Sequence, residues 1–530
     1  MPDWQVLRGW PSYGGYYPYG SDPALESRFP PGPGFYRMPV PWSPSRSEDL
    51  MRQHLDISLM AIGAKRYRLD RRWAYYLGQH NEVVLSRRFH EMFSASSELV
   101  ATLFTNYCSL CVDAPLTRLR LTGWRGDQAL VREVEEHWTA NDLDLESEEI
   151  HRQSLAAGEA YVLVWPRFDD RTGTIMITES RNPLMDIALQ DARNVHVQYG
   201  SRRRGDRLWA TKVWFDRSPG LGGQPCWRAI MYYPEEVVRF VAMPTGMAAP
   251  PPTAGEYDLD PEDPGAPHNM GAVPMVRFSR WYDSHSRLDD VIPIQDRINK
   301  LTADKIVAAE YGAFPQRWVL TNDEPPPDVL LAGPGSVWAI PPTSPGASTQ
   351  DAPTSVGQFP YTPLGNYDAT IREEVNAFFT VAELPRHLLI NPGVTPSAEA
   401  IKADEGPMVA WVRGFRDAFS GCWADVMNLC TGGIVQAVWQ DIEVHNELTS
   451  AQTFRELVTG GLPVVMAAEH TLDLDEEELS ELVAIPTPPQ PGSGIPGQAQ
   501  ELAVTQSPAE EVAVEGPYPP GVGPPPQQEL

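Results

Sequence analysis

Hydrophobic residues recur at helical spacing in two stretches on either side of a proline-rich region. The first stretch, 289–311, predicts a helix of roughly 35 Å at a rise of about 1.5 Å per residue. Its apolar side carries Ile294, Ile298, Leu301 and Ala308, and its polar side carries Asp296, Lys300 and Asp304. The second stretch, 364–382, predicts a helix whose apolar face carries Tyr367, Ile371, Val375, Phe378 and Ala382. Two amphipathic helices therefore flank one irregular module.

Turn and capping residues mark the segments around these helices. Between the helices, residues 316–363 contain two strand-like pieces, Arg317–Leu320 and Ser336–Ile340, separated by proline-rich turns. After the second helix, Leu389–Val394 has turn chemistry. Thr395 followed by Pro396 predicts the cap and first turn of a long third helix. This helix is predicted to bend at Gly406-Pro407 and to stop at Gly432-Gly433.

Residues 48–285 predict an α+β arrangement, because helices and strands fall into separate groups instead of alternating. Helical periodicity runs from Glu48 to about Pro115, and two further helices are predicted around Asp127–Thr139 and Leu145–Ala157. The predicted strands are Thr117–Thr122, Ala160–Trp165, Thr174–Thr178, Leu208–Phe215, Trp227–Tyr232, Val237–Ala242 and Met275–Trp281. Met243–Ala272, dense in proline, glycine and acids, is predicted to be a surface loop.

The two ends of the chain differ in composition from the rest. Residues 1–47 are rich in proline, glycine and aromatics and predict an extended arm, with a disordered leader as the alternative. Beyond 432, a strand-like Ile442–Val444 is followed by predicted short helices at Ala451–Val458, Pro463–Glu469 and Asp475–Leu482. Residues 486–530 are proline-rich with almost no large apolar side chains, so we expect them to be disordered.

Composition limits the class of protein. The chain has 530 residues, of which 42% are hydrophobic, so it can bury one large core or a few ordinary ones. The sequence contains neither an apolar run of about eighteen residues nor a signal peptide, and we expect a soluble protein made in the cytoplasm. The formal charge of −28 argues against broad gripping of duplex DNA, which depends on Lys and Arg displacing counterions from phosphates.

The five cysteines do not form a recognisable disulfide framework or metal-ligand pattern. Cys108 and Cys111 form a lone C-x-x-C. Leu99, Val100, Leu103, Phe104, Tyr107 and Cys111 follow helical spacing, so we interpret Cys111 as a core residue. Zinc binding is the less favoured alternative, because it would need a second ligand pair.

Catalytic signatures are missing from the sequence. None of the five lysines follows a glycine, which excludes a P-loop motor. The H-E-x-x-H and G-x-S-x-G motifs are absent, and the histidines are dispersed. Gly492, Gly494 and Gly497 match G-x-G-x-x-G, but they lie in the proline-rich tail without a preceding strand. The acidic pairs Asp169-Asp170 and Asp289-Asp290 are attributed to chance and solvation. We therefore predict no catalytic residues, metal or cofactor.

Three blocks of sequence carry a family resemblance. The first comprises Tyr75-Tyr76-Leu77-Gly78, Asn106-Tyr107-Cys108, Val112-Asp113, Arg118-Leu119, Asn141-Asp142-Leu143-Asp144, Ile150-His151 and Ala157-Gly158-Glu159-Ala160-Tyr161-Val162. The second comprises Ile294-Gln295-Asp296-Arg297-Ile298-Asn299-Lys300 and Ala313-Phe314-Pro315-Gln316-Arg317-Trp318. The third comprises Pro396-Ser397-Ala398-Glu399-Ala400-Ile401 and the helix through Trp423. In order and spacing, these blocks resemble the portal proteins of long-tailed double-stranded-DNA phages over most of residues 70–460.

The resemblance implies a multi-region portal fold that assembles as a ring of twelve copies at one capsid vertex of the virion. The implied regions are the wing (48–285), first stem helix (286–315), clip (316–363), second stem helix (364–384), tunnel loop (385–396), long kinked helix (397–432) and crown (433–485). The arm (1–47) and the tail (486–530) fall outside it. The implied partners are sister copies, double-stranded DNA, the packaging ATPase (terminase), a head-to-tail adaptor and the major capsid protein, with no membrane.

Charge and amphipathicity predict how the implied channel would interact with DNA. Twelve copies would carry roughly −340, so we expect the channel to repel the phosphate backbone and let DNA slide. Sparse positive charges at Arg386, His387 and Lys300 are candidates to steady the duplex, and Asn391, Pro392, Gly393 and Val394 are the candidate DNA-facing loop residues. A helix-surface pair of Lys300 with Asp296 or Asp304 is the favoured alternative. Lys305 is expected to pack its aliphatic stem against the apolar side.

The resulting hypothesis is a portal that has no chemistry of its own. It would give DNA its way in and out of the capsid, seating the packaging ATPase during filling and the neck proteins afterwards. The apolar stem residues, Ile294, Ile298, Leu301, Tyr367, Ile371, Val375 and Phe378, are expected to be covered by sister copies. The alternative from another class is a divergent enzyme acting on nucleic acid or peptidoglycan through scattered carboxylates.

Overall fold

The computed structural model describes twelve stretches of the chain. They are residues 44–80, 104–169, 174–216, 225–243, 252–268, 270–280, 284–313, 317–320, 355–358, 363–389, 397–442 and 447–471. The chain divides into two compact units, Met1–Val444 and His445–Leu530. Each unit is described by itself.

The helices of the first unit are α1 (Glu48–Tyr76), α2 (Leu110–Leu116), α3 (Gln128–Ala140), α4 (Leu143–Ala157), α5 (Arg287–Ala313), α6 (Leu364–Val381) and α7 (Ala398–Thr431). Short 3-10 turns occupy Ala254–Glu256 and Arg386–Leu388. The second unit contains α8 (Glu447–Thr459) and α9 (Val464–Thr471). The mixture of helices and separate antiparallel sheets confirms the predicted α+β class.

The strands are β1 (Leu121–Arg125), β2 (Ala160–Pro166), β3 (Met185–Gln190), β4 (Val195–Tyr199), β5 (Arg207–Asp216), β6 (Cys226–Tyr232), β7 (Glu236–Ala242), β8 (Asp258–Leu259), β9 (Gly265–Pro267), β10 (Met275–Phe278), β11 (Arg317–Leu320), β12 (Ser355–Gln358) and β13 (Gln436–Trp439). One sheet has the order β10-β2-β3, and a larger one has the order β4-β5-β6-β7-β8 with β9 also on β7. β1 pairs with β13 and β11 pairs with β12, all antiparallel.

Strand β2 lies between two hydrophobic cores, which explains its nearly continuous apolar sequence. Ala160, Val162 and Val164 face the main core, which also receives α4, α5, α6 and α7. Tyr161 and its alternate neighbours Leu163 and Trp165 face a second core built with β4, β5 and β7. Because side chains alternate across a strand, one short segment joins the helical layer to the larger sheet.

Several predicted elements need correction. Residues 105–107 are not helical, and α2 begins only at Leu110 and continues past Pro115 to Leu116. Cys108 and Cys111 are free and buried in the main core, which agrees with a packing role. The strand expected over Thr117–Thr122 starts at Leu121, because the turn continues through a bond from the Leu119 N–H to the Leu116 carbonyl (2.9 Å).

The sheet predictions were correct for the long strands and wrong for the short ones. β3 and β4 were missed, whereas Ile175 and Ile177 of the predicted Thr174–Thr178 strand form only isolated bridges. The Met243–Ala272 loop contains the edge strands β8 and β9. Ile442 lies outside any strand, and the strand in this region, β13, ends three residues earlier at Trp439. Ser336–Ile340, Asp475–Leu482, the arm up to residue 43 and the 486–530 tail lie outside the described residues.

The long helix α7 is continuous through Gly406 and Pro407. Its cap is Ser397, whose hydroxyl oxygen accepts the Ala400 N–H at 3.3 Å, and not Thr395 as predicted. Gly432, in the left-handed conformation with φ 71°, ends the helix as expected. Thr395 and Pro396 themselves lie outside the described residues.

Candidate channel-forming region

Helices α5 and α6 form an antiparallel pair held by three ion pairs. Arg287 pairs with Glu383 (2.7 Å), Arg297 with Glu374 (2.9 Å), and Lys305 with Asp368 (2.5 Å). The partner numbers fall as the α5 numbers rise, which is the signature of two antiparallel rods in contact. From Arg287 to Lys305 this contact extends over about 27 Å at the helical rise. β11 and β12 pair with each other in the segment that connects the two helices.

The inner half of this helix pair is buried within a single chain. Ile294, Ile298, Val375 and Phe378 are 6%, 2%, 7% and 0% exposed and belong to the main core. The expectation that sister copies cover these four residues is therefore wrong. These four residues belong instead to the main core of their own chain, where Tyr107 contacts Phe378 with ring centroids 5.9 Å apart.

The outer half of the pair is less covered. Leu301, Tyr367 and Ile371 are only partly buried, as are Ile306 and Val307. A helix of this size buries its apolar stripe against one neighbour and leaves the flanks of the stripe accessible. This outer half therefore leaves apolar surface available for contact with another molecule.

The base of α5 is fixed to α1 by a buried arginine. Arg72 is 1% exposed, and its guanidinium donates to both carboxylate oxygens of Asp289, one of them at 2.9 Å. The same guanidinium donates to the carbonyl oxygens of Ser284 (2.8 Å) and Ala157. Burial works against the charged form of Asp289, but Arg72 outweighs it and lowers the pKa of this carboxyl.

The Ala157-Gly158-Glu159 block lies directly beside this bridge. Glu159 accepts from Lys65 Nζ at 2.7 Å and lies 3.5 Å from Arg277 Nε, and all three side chains are largely shielded from water. Burial alone would raise the pKa of Glu159, but Lys65 and Arg277 lower it to about 2. The Glu159 carboxylate, placed between two cations just before β2, therefore joins α1 to β10.

Two buried amides on α5 hold another part of the chain. The Gln295 carbonyl oxygen accepts the Tyr107 N–H (3.0 Å), and its NH₂ donates to the Thr105 carbonyl (2.9 Å) and to Asn299 (2.8 Å). Asn299 contacts His80 Nδ1 at 3.0 Å. No role was predicted from the sequence for either amide. The available signal was two amides four residues apart on an otherwise apolar helix side.

The residues that flank the 390–396 segment are tied together. The His387 N–H donates to Asp404 Oδ2 (3.2 Å), and the His387 ring nitrogens lie 3.5 Å from Asp404 and 3.7 Å from Glu405. Glu405 pairs with Arg118 (2.8 Å), which also donates to the Ile442 carbonyl (2.7 Å). Both ends of the segment are thus anchored to the same body.

The predicted DNA-contacting residues fall into three groups. Arg386 is exposed and makes no ion pair within the part of the chain that the structure describes. His387 lies between two carboxylates, and Lys300 pairs with Asp304, which is the alternative favoured from the sequence. Lys305 pairs with Asp368 instead of packing along the apolar side. Asn391, Pro392, Gly393 and Val394 lie outside the described residues.

The sequence profile of the family described as phage portal protein, SPP1 Gp6-like, matches residues 122–484 of this chain. The chain belongs to this portal family. The match spans more than half of the sequence and includes α5, α6, α7 and the residues that flank the 390–396 segment. α1 precedes it, so the Arg72–Asp289 bridge joins the matched portal region to the helix before it.

The solved structures similar to this chain include two from gene transfer agent particles. One is a chain in the virion of a native gene transfer agent particle, which is 11% identical to this portal chain with a TM-score of 0.39. The alignment covers 72% of this chain and 89% of the other. The other is a chain in the neck of an empty gene transfer agent particle, computed with C6 symmetry, which is 12% identical with a TM-score of 0.35. That alignment covers 74% of this chain and 91% of the other. No protein with a curated description matches.

Family membership gives this protein a structural role as a portal and head-to-tail connector of the virion. Within the described residues, no helix combines the length and the apolar character needed to cross a lipid bilayer. Nor do the described parts contain a group of three or more His, Cys, Asp or Glu side chains placed to hold a metal ion.

Proposed function

We propose that this portal protein assembles into a ring of about twelve copies and forms the channel through which DNA enters and leaves the capsid. The observation that carries the proposal is the α5–α6 pair, anchored at its base and partly uncovered in its outer half. Repetition of such a pair around an axis would make a continuous wall, with each outer half contacting the next copy. The proposed regions are those implied by the family resemblance, from wing to crown.

The distribution of charge along α5 supports a channel that lets DNA slide. Each of its four cationic residues is paired with an acid of the same chain, namely Arg287 with Glu383, Arg297 with Glu374, Lys300 with Asp304 and Lys305 with Asp368. Because these cations are paired, α5 has little net positive charge with which to bind the DNA phosphates. Double-stranded DNA would then pass without being held, which a translocating motor requires.

The 390–396 segment is proposed to face the DNA. Its two flanks are anchored through His387, Asp404, Glu405 and Arg118, which supports a fixed place for the points at which the chain enters and leaves the segment. Arg386, exposed beside one anchor, is the best-placed cation for a transient phosphate contact. The packaging ATPase, the head-to-tail adaptor and the major capsid protein are the proposed protein partners, with assembly in the host cytoplasm.

Negative-stain electron microscopy of the purified protein tests this proposal. We expect annular particles with a central opening, and light scattering should give a mass equal to a fixed multiple of the chain. Replacing the partly buried Leu301 with aspartate should reduce ring formation while leaving the circular dichroism of the chain unchanged. A monomer with hydrolytic activity, and no annular particles, would instead support an enzyme acting on nucleic acid or peptidoglycan.

A further inference from the structure

Helix α1 carries a second apolar stripe on the side that faces away from its core contacts. Its buried side includes Met51, Leu55, Ile62 and Leu69. The other stripe consists of Leu50, Ile57, Met60, Ala64 and Tyr67, and Met60 is 66% exposed. The spacing of three, four or seven residues puts these side chains in one line of about 26 Å. An exposed apolar line of this length marks an interaction surface.

The symmetry of a ring limits what can cover this stripe. In a closed ring of more than two copies, every contact is heterologous, so a surface meets a different surface of the next copy. Two α1 stripes paired with each other would form an isolated two-fold dimer and stop the ring from closing. If the proposed ring forms, the α1 stripe of one copy is therefore not covered by the α1 stripe of another.

The chain that leads into α1 is fixed next to the start of the stripe. The Ser45 N–H and hydroxyl donate to the carboxylate of Glu236 on β7 at 2.9 and 2.6 Å. Arg46 also pairs with Glu236 and lies over the ring of Tyr233, 4.1 Å from its centroid. The preceding residues therefore leave the body about one helical turn before Leu50.

The sequence of those preceding residues suits the stripe. Residues 1–43 contain ten of the 51 aromatic residues of the chain, and their three acids and three arginines cancel. Frequent proline and glycine prevent a regular helix, whereas flat aromatic rings cover apolar surface at low entropic cost. About eight extended residues at roughly 3.1 Å each would run the length of the stripe. Met38-Pro39-Val40-Pro41, directly before the anchor, has the proline content that is typical of a turn.

We propose that the aromatic segment between Trp4 and Trp42 folds back on the α1 helix of its own chain and covers the stripe from Leu50 to Tyr67. The short tether at Ser45 gives the segment a high effective concentration at its own α1, which favours this helix over that of a neighbour. The exposed Arg68 beside the stripe offers the tyrosine rings a cation–π contact. The N-terminal arm thereby completes the outer surface of α1 before rings assemble.

Thiol labelling tests this proposal, because all five native cysteines are buried. A Met60→Cys variant places a reactive thiol on the stripe, and an Arg66→Cys variant places one on an exposed position off the stripe. Each is made in the full chain, in a chain lacking residues 1–43, and in a full-length chain with Tyr16, Tyr17 and Tyr19 changed to serine. The maleimide reaction rate is measured on monomeric and assembled fractions separated by size.

We expect Met60→Cys to react at least tenfold more slowly in the full chain than in the truncated chain, with an intermediate rate in the tyrosine variant. Arg66→Cys should react equally in all three. Protection that depends on the arm and is already present in the monomer supports the proposal whether or not rings form. Equal rates for Met60→Cys with and without the arm, or protection that appears only in assembled rings, would overturn it.

Discussion

At Gly158, both the backbone conformation and the neighbouring atoms oppose the addition of a side chain. Its φ is 82°, and an added Cβ would lie 2.2 Å from the Ser284 carbonyl oxygen and 2.8 Å from Arg72 Nη1. Both atoms belong to the buried bridge that fixes α5 and cannot move aside alone. We expect Gly158→Ala to lower the free energy of unfolding by about 3 kcal/mol or more, measured by urea denaturation.

Gly63 provides the matched control for this substitution. It lies inside α1, and an added Cβ would meet nothing within 4 Å. Gly63→Ala should raise the free energy of unfolding by up to about 1 kcal/mol through the higher helix propensity of alanine. Similar losses for both variants would mean that Gly158 is not held by the contact with Ser284.

His151 gives the stability of the chain a dependence on pH. It is fully buried, stacks on Phe419 with ring centroids 4.8 Å apart, and lies 3.0 Å from the Leu119 carbonyl through Nδ1. Its Nε2 accepts the Trp423 indole N–H at 2.9 Å, so the proton is on Nδ1. Burial lowers the pKa of His151 to about 3, with the bond to Leu119 opposing this only in part.

The direction of the pH effect follows from this lowered pKa. Between about pH 6.5 and 3 the unfolded chain binds a proton at this residue that the folded chain excludes, so stability falls as the pH falls through that window. In His151→Gln, the slope of unfolding free energy against pH should be smaller by about 1.4 kcal/mol per pH unit in the middle of the window. Denaturant titrations from pH 4 to 8 measure the slopes, and identical slopes would contradict the assignment.

At the scale of elements, the sequence predicted helices whose ends carry their own signals. Asp127 caps α3 through its carboxylate, which accepts the Ala129 N–H at 3.0 Å, and Gly432 ends α7. These signals act between residues close in the chain, so they can be identified without the fold. α7 shows the limit, because Thr395 and Ser397 are both capable caps and the local sequence does not distinguish them.

Short strands depended on partners that the sequence does not identify. β13 exists because Gln436–Trp439 pairs with β1, more than three hundred residues earlier, whereas the similar run at Ile442 has no such partner among the described residues. What covers the apolar sides of α5 and α6 could not be predicted from the sequence for the same reason. Periodicity indicated which side of α5 is apolar, but only the assembled core decides that Ile294 and Ile298 are covered within one chain.

The α5–α6 contact leads to a prediction about the pair of helices. Arg297→Glu alone would place a negative charge beside Glu374, and should lower the melting temperature slightly, consistent with a loss of roughly 0.5 kcal/mol for a pair whose arginine is half exposed. The double variant Arg297→Glu with Glu374→Arg should recover most of that loss. Thermal denaturation of the four combinations gives the coupling, and independent effects of the two substitutions would argue against the antiparallel register.

At the scale of the whole molecule, a deletion within the 390–396 segment can distinguish ring assembly from DNA passage, because the flanks of the segment are anchored independently of it. Deleting Asn391–Val394 should leave annular particles intact, because the contacts of His387, Asp404, Glu405 and Arg118 lie outside the deletion. Packaging should fall at least tenfold, because the proposed DNA-facing residues are removed while the wall of α5 and α6 remains. Electron microscopy and a nuclease-protection assay for packaged DNA measure the two effects separately.

A deletion of four residues within the 486–530 tail is the control, and it should change neither measurement. If deletion of Asn391–Val394 prevents ring formation, the segment is a structural contact between copies and its assignment to the channel is wrong. If rings form and packaging proceeds at the normal rate, some other part of the wall meets the DNA. Loss of packaging with intact rings is the outcome expected of a DNA-facing segment, since the described contacts that hold its ends belong to the body of a single chain.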